Sequence, residues 1–139
     1  MITFYITTFS TETREFYTNL NSLEADSHSI DLFVPKDTLI KAHSIGTVDF
    51  NINIMASDPH NDRGGPSPFY IYPKCSIVDT PLRLANGFST IGWAYEGTIK
   101  CVFDNIGENE YILKKGTPIV KICGPSLEDV EFKVKMESL

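Results

Sequence analysis

The sequence has no long apolar run. Its most hydrophobic stretch near the start, Ile2 to Phe9, is rich in threonine and lacks a basic flank, so neither a secretory leader nor a membrane anchor is expected. A soluble cytoplasmic protein is the expectation. Cysteine is scarce: Cys75, Cys101 and Cys123 are odd in number and lack Cys-x-x-Cys spacing, which argues against a disulfide framework and a structural zinc site. Basic residues are outnumbered, with 12 Lys and Arg against 18 Asp and Glu. The resulting net charge of −6 argues against broad nucleic-acid binding, which needs a cationic surface to displace counterions. It also fits poorly with a polyphosphate site that has neither Mg²⁺ nor a local cationic pocket, and no glycine-rich phosphate loop is visible. His28, His43 and His60 are scattered without metal-ligand spacing, and none is assigned a role.

What is present suits one domain spanning residues 1–139, with 42% apolar and 22% charged residues, ordinary for a globular chain. Ile2 to Phe9 favours a strand. Ser10 and Thr11 can cap a helix that carries Glu12 and Glu15 in its first turns and Phe16 with Leu20 at helical spacing, ending near Asn19 to Asn21. From Ser29 the pattern turns to short apolar runs: 30–34, 39–40, 48–55, 69–72, 77–84, 97–103, 111–113, 119–123 and 130–134. Turn-forming residues separate them, so a mostly β jelly roll or β-sandwich with one short N-terminal helix is expected. Asp49 to Ile54 alternates polar with apolar residues, which gives a wet face and a buried one. Asp58 to Pro68, with Gly64-Gly65-Pro66, reads as a mobile surface loop.

Pro73 to Gly97 carries most of the functional information. Val78 to Ala85 holds a proline and ends on Asn86-Gly87, a sharp-turn dipeptide, and a second turn closes at Gly97. Between them Ile91 to Tyr95 has the composition of a hairpin that passes close to another group. Ser76-Ile77, Thr80-Pro81-Leu82-Arg83-Leu84-Ala85-Asn86, Ile91 and Tyr95-x-Gly97 together resemble the trimeric dUTPase family, nearest to its branch in large DNA viruses and some protists. Ile30-Asp31-Leu32 is similar to that family's first motif and Gly116 to Ile122 to its fourth, so the resemblance covers nearly the whole chain.

The resemblance implies a β-clip type jelly roll and a homotrimer whose subunits exchange a C-terminal strand, here residues 128–136, with Val130 to Val134 placed to do so. The departures matter more than the matches. The family's hairpin aspartate, which activates the attacking water and holds the sugar 3′-hydroxyl, is replaced by Gly92. Its phosphate-binding Arg-Ser-Ser becomes Lys74-Cys75-Ser76, the arginine after the hairpin tyrosine becomes Glu96, and the Arg and Gln of the fourth motif become Pro118 and Lys121. The glycine-rich arm that closes over the triphosphate does not occur up to Leu139.

No catalytic residue and no metal ligand is therefore assigned, and the binding positions are vestigial: Asp31, Lys74, Ser76, Asn86, Gly92, Tyr95 and Lys121. Each has a plain structural alternative. Asp31 can bond local backbone at a strand start, Asn86 is explained by its turn, and Tyr95 can be a packing aromatic. Lys121 is expected to face solvent or a neighbouring subunit. Lys74 lacks arginine's bidentate fork but can still meet a phosphate as a point charge. Cys75 is expected to be buried and inert. Trp93 either fills the nucleoside pocket or packs at a subunit contact. Glu137-Ser138-Leu139 weakly matches a carboxy-terminal ligand for PDZ domains.

The expected function is that of a non-catalytic, trimeric structural or binding module. It could be packaged in a virion beside capsid proteins or act as a regulatory protein, without nucleic-acid or membrane partners and without a cofactor. The alternative is an active hydrolase that converts dUTP to dUMP and pyrophosphate with Mg²⁺, for which Glu96 or Asp79 would have to stand in as base. A nucleotide binder without turnover, using Lys74, Asn86 and Tyr95, lies between the two.

Overall fold

Alternation is the dominant signal in the first strand, and it fixes which face is buried. In β1 (Ile2–Thr8), Ile2, Phe4, Ile6 and Thr8 point into the core while Thr3, Tyr5 and Thr7 stay partly exposed. The computed structural model describes residues 1–18, 28–60 and 65–136. Among these, one α-helix, α1 (Thr11–Thr18), follows β1. The strands after it are β2 (Ile30–Phe33), β3 (Thr38–Ile40), β4 (Ile45–Asp49), β5 (Asn53–Asp58), β6 (Gly65–Ser67) and β7 (Phe69–Pro73). A 3-10 helix, Cys75–Asp79, precedes β8 (Leu82–Leu84), β9 (Ser89–Ile91), β10 (Lys100–Asn105), β11 (Tyr111–Leu113), β12 (Pro118–Cys123) and β13 (Val130–Met136).

The strands form a sheet in the order β13-β1-β5-β6, a second in the order β2-β12-β7-β9, a three-stranded sheet β4-β10-β8 and the pair β11-β3. β13 runs parallel to β1 of the same chain, with Ile2 opposite Val130, and the other pairings are antiparallel. Inward residues of all four sheets make the core, Val48 and Phe103 from the three-stranded sheet and Ile40 and Leu113 from the β11-β3 pair among them. Phe4 meets Phe69 edge to face at 5.5 Å, flanked by the buried Ile30, Leu32, Ile71, Val120 and Ile122. Burying each such side chain stabilises the fold by roughly 1.5–3 kcal/mol. The result is the mostly β sandwich with one short N-terminal helix that the short-run pattern predicts.

α1 begins where Ser10 takes the capping position, its hydroxyl accepting from the Thr13 amide at 3.2 Å and its carbonyl from the Arg14 amide. At its far end the buried Tyr17 hydroxyl accepts the Phe33 amide at 3.1 Å. The Phe16 and Tyr17 rings also pack on Phe33. The helix thereby fixes β2, the strand that carries Asp31. The expected helix end at Asn19 to Asn21, with Leu20, lies outside the described residues, as do Gly64 and the terminal Glu137-Ser138-Leu139.

The structure corrects three readings of where strands run. Residues 48–55 are two strands in two sheets: Asn51 adopts a positive φ of 59°, so the chain leaves β4 and enters β5, although Phe50, Ile52 and Ile54 are buried and Asn51 and Asn53 exposed as the alternation predicts. Residues 77–84 begin in the 3-10 helix, where Ile77 is buried, before β8. Gly65–Ser67, expected within a loop, pairs with β5. The segments flanking Asn86-Gly87 are not paired with each other, because β8 joins β10 and β9 joins β7.

Candidate functional site

β2 and β12 place Asp31 and Lys121 directly opposite each other. Lys121 is also paired with Tyr72 of β7, whose strand leads through Pro73 to Lys74, and the Lys74 amide donates to the Ile119 carbonyl at 2.9 Å. Three sequence motifs thus converge on one carboxylate. Lys74 Nζ donates to Asp31 Oδ2 at 2.7 Å and Lys121 Nζ to Oδ1 at 2.9 Å. The Asp31 side chain is 5% exposed, Lys121 12% and Lys74 32%. Charge-assisted bonds of this length are the strong class, and little water competes with the Lys121 arm.

This geometry corrects the expectations for Asp31 and Lys121. Asp31 holds two ammonium groups and not local backbone. Lys121 faces inward and not solvent. Lys74 is engaged by Asp31. No single motif shows the ion cluster, because each contributes one member and only strand pairing brings them together. The signal available in the sequence was the arrival of two lysines at two departures from a family pattern that keeps its aspartate.

The cluster does not fit the Mg²⁺ that the alternative reading requires. Both Asp31 oxygens already face a cation, and two lysines leave the group with a net positive charge that repels a third one. Among the described residues, no group of three or more His, Cys, Asp or Glu side chains stands together.

The 3-10 helix and β8 are stitched by Thr80 and Arg83. The Thr80 hydroxyl donates to the Ile77 carbonyl and accepts from the Leu82 amide. Arg83 Nη1 donates to the Thr80 and Leu82 carbonyls at 2.9 and 2.6 Å. The motif Thr80-Pro81-Leu82-Arg83 therefore has a structural account without a ligand. Ser76 and Cys75 are exposed at this 3-10 helix, which corrects the expected burial of Cys75.

The turn at Asn86-Gly87 closes with Gly87 at φ 65° and its amide bonded to the Leu84 carbonyl. Asn86 lines a small cleft of about 220 Å³ with Ile71, Ser89, Ile91, Lys100 and Cys101. Burial pushes the Cys101 thiol up to about 12, so it is a neutral wall. The cleft falls below the ~300 Å³ at which ligand pockets begin.

Beyond β9 the chain turns at Gly92–Tyr95, with the Tyr95 amide donating to the Gly92 carbonyl at 3.1 Å. Apart from its chain neighbours, nothing lies within 4 Å of where a Gly92 Cβ would stand. Tyr95 is 47% exposed and its hydroxyl donates to the Thr98 carbonyl at 2.8 Å, so the ring is held but not packed away. Thr98 in turn donates to Asp49 at 2.9 Å, which ties the foot of the turn to β4.

Trp93, 52% exposed, lines a groove of about 640 Å³ together with Ala94 to Gly97. The rest of its lining comes from β1 (Tyr5, Thr7), β5 (Asn53, Ile54, Met55) and Pro66 of β6. Asp31, Lys74 and Lys121 line neither this groove nor the smaller cleft. Within the chain the expected site residues are therefore dispersed: Asp31, Lys74 and Lys121 form the ion cluster, Ser76 is exposed on the 3-10 helix, Asn86 lines the small cleft, Tyr95 lines the Trp93 groove, and Gly92 starts the turn beside it. Sequence reasoning missed Tyr5, Thr7, Asn53 and Met55, although the alternation in Ile2 to Thr8 already puts Tyr5 and Thr7 on an outward face.

No protein-family model matches the sequence, and no curated protein matches it. Solved structures do. The dUTPase of EIAV superposes with a TM-score of 0.58 at 20% identity, over 88% of this chain and 86% of that one. The dUTPase of Streptococcus mutans gives 0.56 at 20% identity, over 71% and 77%. The chain has a dUTPase-like fold.

Proposed function

We propose that this protein is a non-catalytic, homotrimeric structural or binding module built on the dUTPase-like fold. The observation that carries the reading is the space around Gly92. The family's base position has a hydrogen in place of a carboxylate, and nothing beyond its chain neighbours lies within 4 Å of a Cβ there, so neither Asp79 nor Glu96 fills it. A positioned general base contributes roughly 10²–10⁴-fold, and this one would also have positioned the sugar. The commitment of Asp31 to two lysines adds to this, since it removes the other acid that could steady a metal and water network.

The assembly is a closed trimer in which β13 leaves β1 of its own chain for β1 of a neighbour, and its partners are other copies of itself and other structural proteins, such as those of a virion. Nucleic acid is disfavoured as a partner by the net charge of −6. Among the described residues, no helix is long and apolar enough to cross a membrane.

Incubation with dUTP and Mg²⁺ at high protein concentration tests the reading. Pyrophosphate release at the background rate is expected. Turnover approaching that of ordinary dUTPases would establish the hydrolase instead. Sedimentation equilibrium tests the trimer, and calorimetric titration with a non-hydrolysable dUTP analogue tests whether nucleotide still binds.

A further inference from the structure

The turn between β8 and β9 sets a labile side chain beside an unshielded backbone nitrogen. Asparagine is thermolabile because its side-chain carbonyl carbon can be attacked by the nitrogen of the next residue. Asn86-Gly87 is the sole Asn-Gly dipeptide of the chain. Asn86 is exposed, and among the described residues its side-chain amide has no hydrogen-bond partner. Gly87 has no Cβ to cover its nitrogen, and apart from its chain neighbours nothing lies within 4 Å of where one would stand. Its φ of 65° suits glycine without strain.

The other asparagines among the described residues are less favourable. Asn51 and Asn53 precede Ile52 and Ile54, whose branched side chains crowd the attacking nitrogen. Asn105 is fully buried, its amide held by the Ile40 and Asn109 carbonyls, and it precedes Ile106. Asn109 precedes Glu110, which again puts a side chain beside the nitrogen.

The surrounding chain leaves this pair room to move. β8 pairs with β10 and β9 with β7, so no ladder joins the two arms of the turn. The Gly87 amide is engaged by the Leu84 carbonyl at 2.9 Å. On either side the chain is pinned, by the Ala85 amide on the Val102 carbonyl at 2.8 Å and by the Phe88 ring on Tyr70 at 4.7 Å between centroids. Opening one such exposed bond slows attack by no more than about tenfold, and turns of this kind open without the sheets unfolding.

We infer that Asn86 is a site of spontaneous covalent modification, its amide being exchanged for a carboxylate in the folded protein. The deprotonated Gly87 nitrogen attacks Asn86 Cγ. An N–Cγ bond forms, the Cγ–Nδ2 bond breaks, and ammonia leaves with a proton taken from solvent, which closes a succinimide ring. Water then adds to one ring carbonyl and the bond from that carbon to nitrogen breaks. Opening at Cγ gives aspartate; opening at the main-chain carbonyl gives isoaspartate, whose backbone is longer by one atom. Either product places a carboxylate in the cleft that Asn86 shares with Lys100, and isoaspartate also lengthens the chain between the anchors at Ala85 and Phe88. Aged copies thus differ from new ones in the charge and shape of this turn. The inference goes beyond the non-catalytic reading and does not depend on it.

The full-length protein is aged in mildly alkaline buffer at physiological temperature, natively and in guanidinium chloride, and digested with trypsin beside an unaged sample. Peptide 84–100 carries Asn86 and no other asparagine or glutamine, whereas peptide 101–114 carries Asn105 and Asn109 as internal controls. In the native sample, peptide 84–100 should gain the mass of OH in place of NH₂ at a rate within about tenfold of the denatured one, while peptide 101–114 stays unchanged. An isoaspartyl methyltransferase should label the aged native protein, and isoelectric focusing should show a more acidic band. Asn86→Ser, verified as folded by circular dichroism, should lose both signals. No gain in native peptide 84–100, a gain only in denaturant, an equal gain in both peptides, or signals that persist in Asn86→Ser overturns the inference. None of these readouts involves dUTP, so either proposal can fail while the other stands.

Discussion

Asp31 and Lys121 face each other across the β2–β12 ladder, and their 2.9 Å bond is the more buried of the two that hold the Asp31 carboxylate. A buried charge that loses a partner is costly, typically more than the pair itself contributes. Lys121→Met should therefore destabilise the fold by about 2 kcal/mol, since Lys74 remains to hold Asp31. Lys74→Met should cost about 1 kcal/mol or less, because water reaches that ammonium more easily. Urea denaturation midpoints of the two variants check the order, and a larger loss in Lys74→Met would show that the burial difference does not govern the cluster.

The three free thiols are predicted to separate sharply in reactivity. Cys75 is exposed on the 3-10 helix, whereas Cys101 and Cys123 are buried. Burial raises both of the latter, and the nearby Glu128 charge adds to the rise at Cys123. Ellman's reagent on the native protein should titrate one thiol promptly and the other two only after unfolding. Prompt reaction at all three would show that the sheets open far more readily than their packing implies.

The same burial makes a pH prediction whose sign can be worked out. The Cys101 thiol keeps its proton in the fold up to about 12, while an ordinary thiol loses it near 9. The folded state thus binds more protons in that window. Stability is complete below the ordinary value and is lost as pH rises through it, by up to about 1.4 kcal/mol per pH unit. The buried Tyr17 hydroxyl, raised mainly by burial, adds to the alkaline loss at higher pH. Cys101→Val should flatten the decline in urea midpoint between about pH 9 and 11 relative to wild type. Parallel declines would remove Cys101 as the cause.

Much of this fold was legible because strands announce themselves locally. The runs at 111–113, 119–123 and 130–134 became β11, β12 and β13 with little change at their edges. Breaks inside apolar runs were not legible. Asn51 ends β4 through a positive φ that alternation cannot register, and Ile77 is buried from a 3-10 turn as effectively as from a strand. At the site, the glycine at position 92 is the identity of one residue and needs no structure to be read. The Asp31 cluster is a statement about three strands, and Lys121 looked solvent-facing because its partner lies ninety residues away in sequence.

Asn105 is a stability test remote from every proposed site. It is fully buried at the end of β10, its amide donating to the Ile40 and Asn109 carbonyls at 3.0 Å each while its oxygen accepts the Gly107 amide at 2.9 Å. It therefore joins β3 to β10 and shapes the turn that follows. Asn105→Ala leaves these groups without partners in a place water reaches poorly, and the loss should be roughly 3 kcal/mol. A loss below about 1 kcal/mol by urea denaturation would show that the turn repairs itself or admits water.

On the non-catalytic reading, Gly92→Asp asks whether an acid at this one position is enough for turnover. The position is open, with nothing beyond its chain neighbours near a new Cβ, and its φ is not among the positive values that strain a side chain. The variant should fold with stability within about 0.5 kcal/mol of wild type, as surface substitutions usually do. An added carboxylate leaves Lys74 and Glu96 at positions where the dUTPase pattern has arginines, and leaves Asp31 bound to two ammonium groups. Restoring one acid restores neither phosphate recognition nor a metal site, and effects within a catalytic unit are far from additive. Pyrophosphate release from dUTP and Mg²⁺ should therefore stay near background. Robust activity from this one change would mean that the ion cluster opens in the presence of nucleotide, and that the loss of chemistry rests on Gly92 alone.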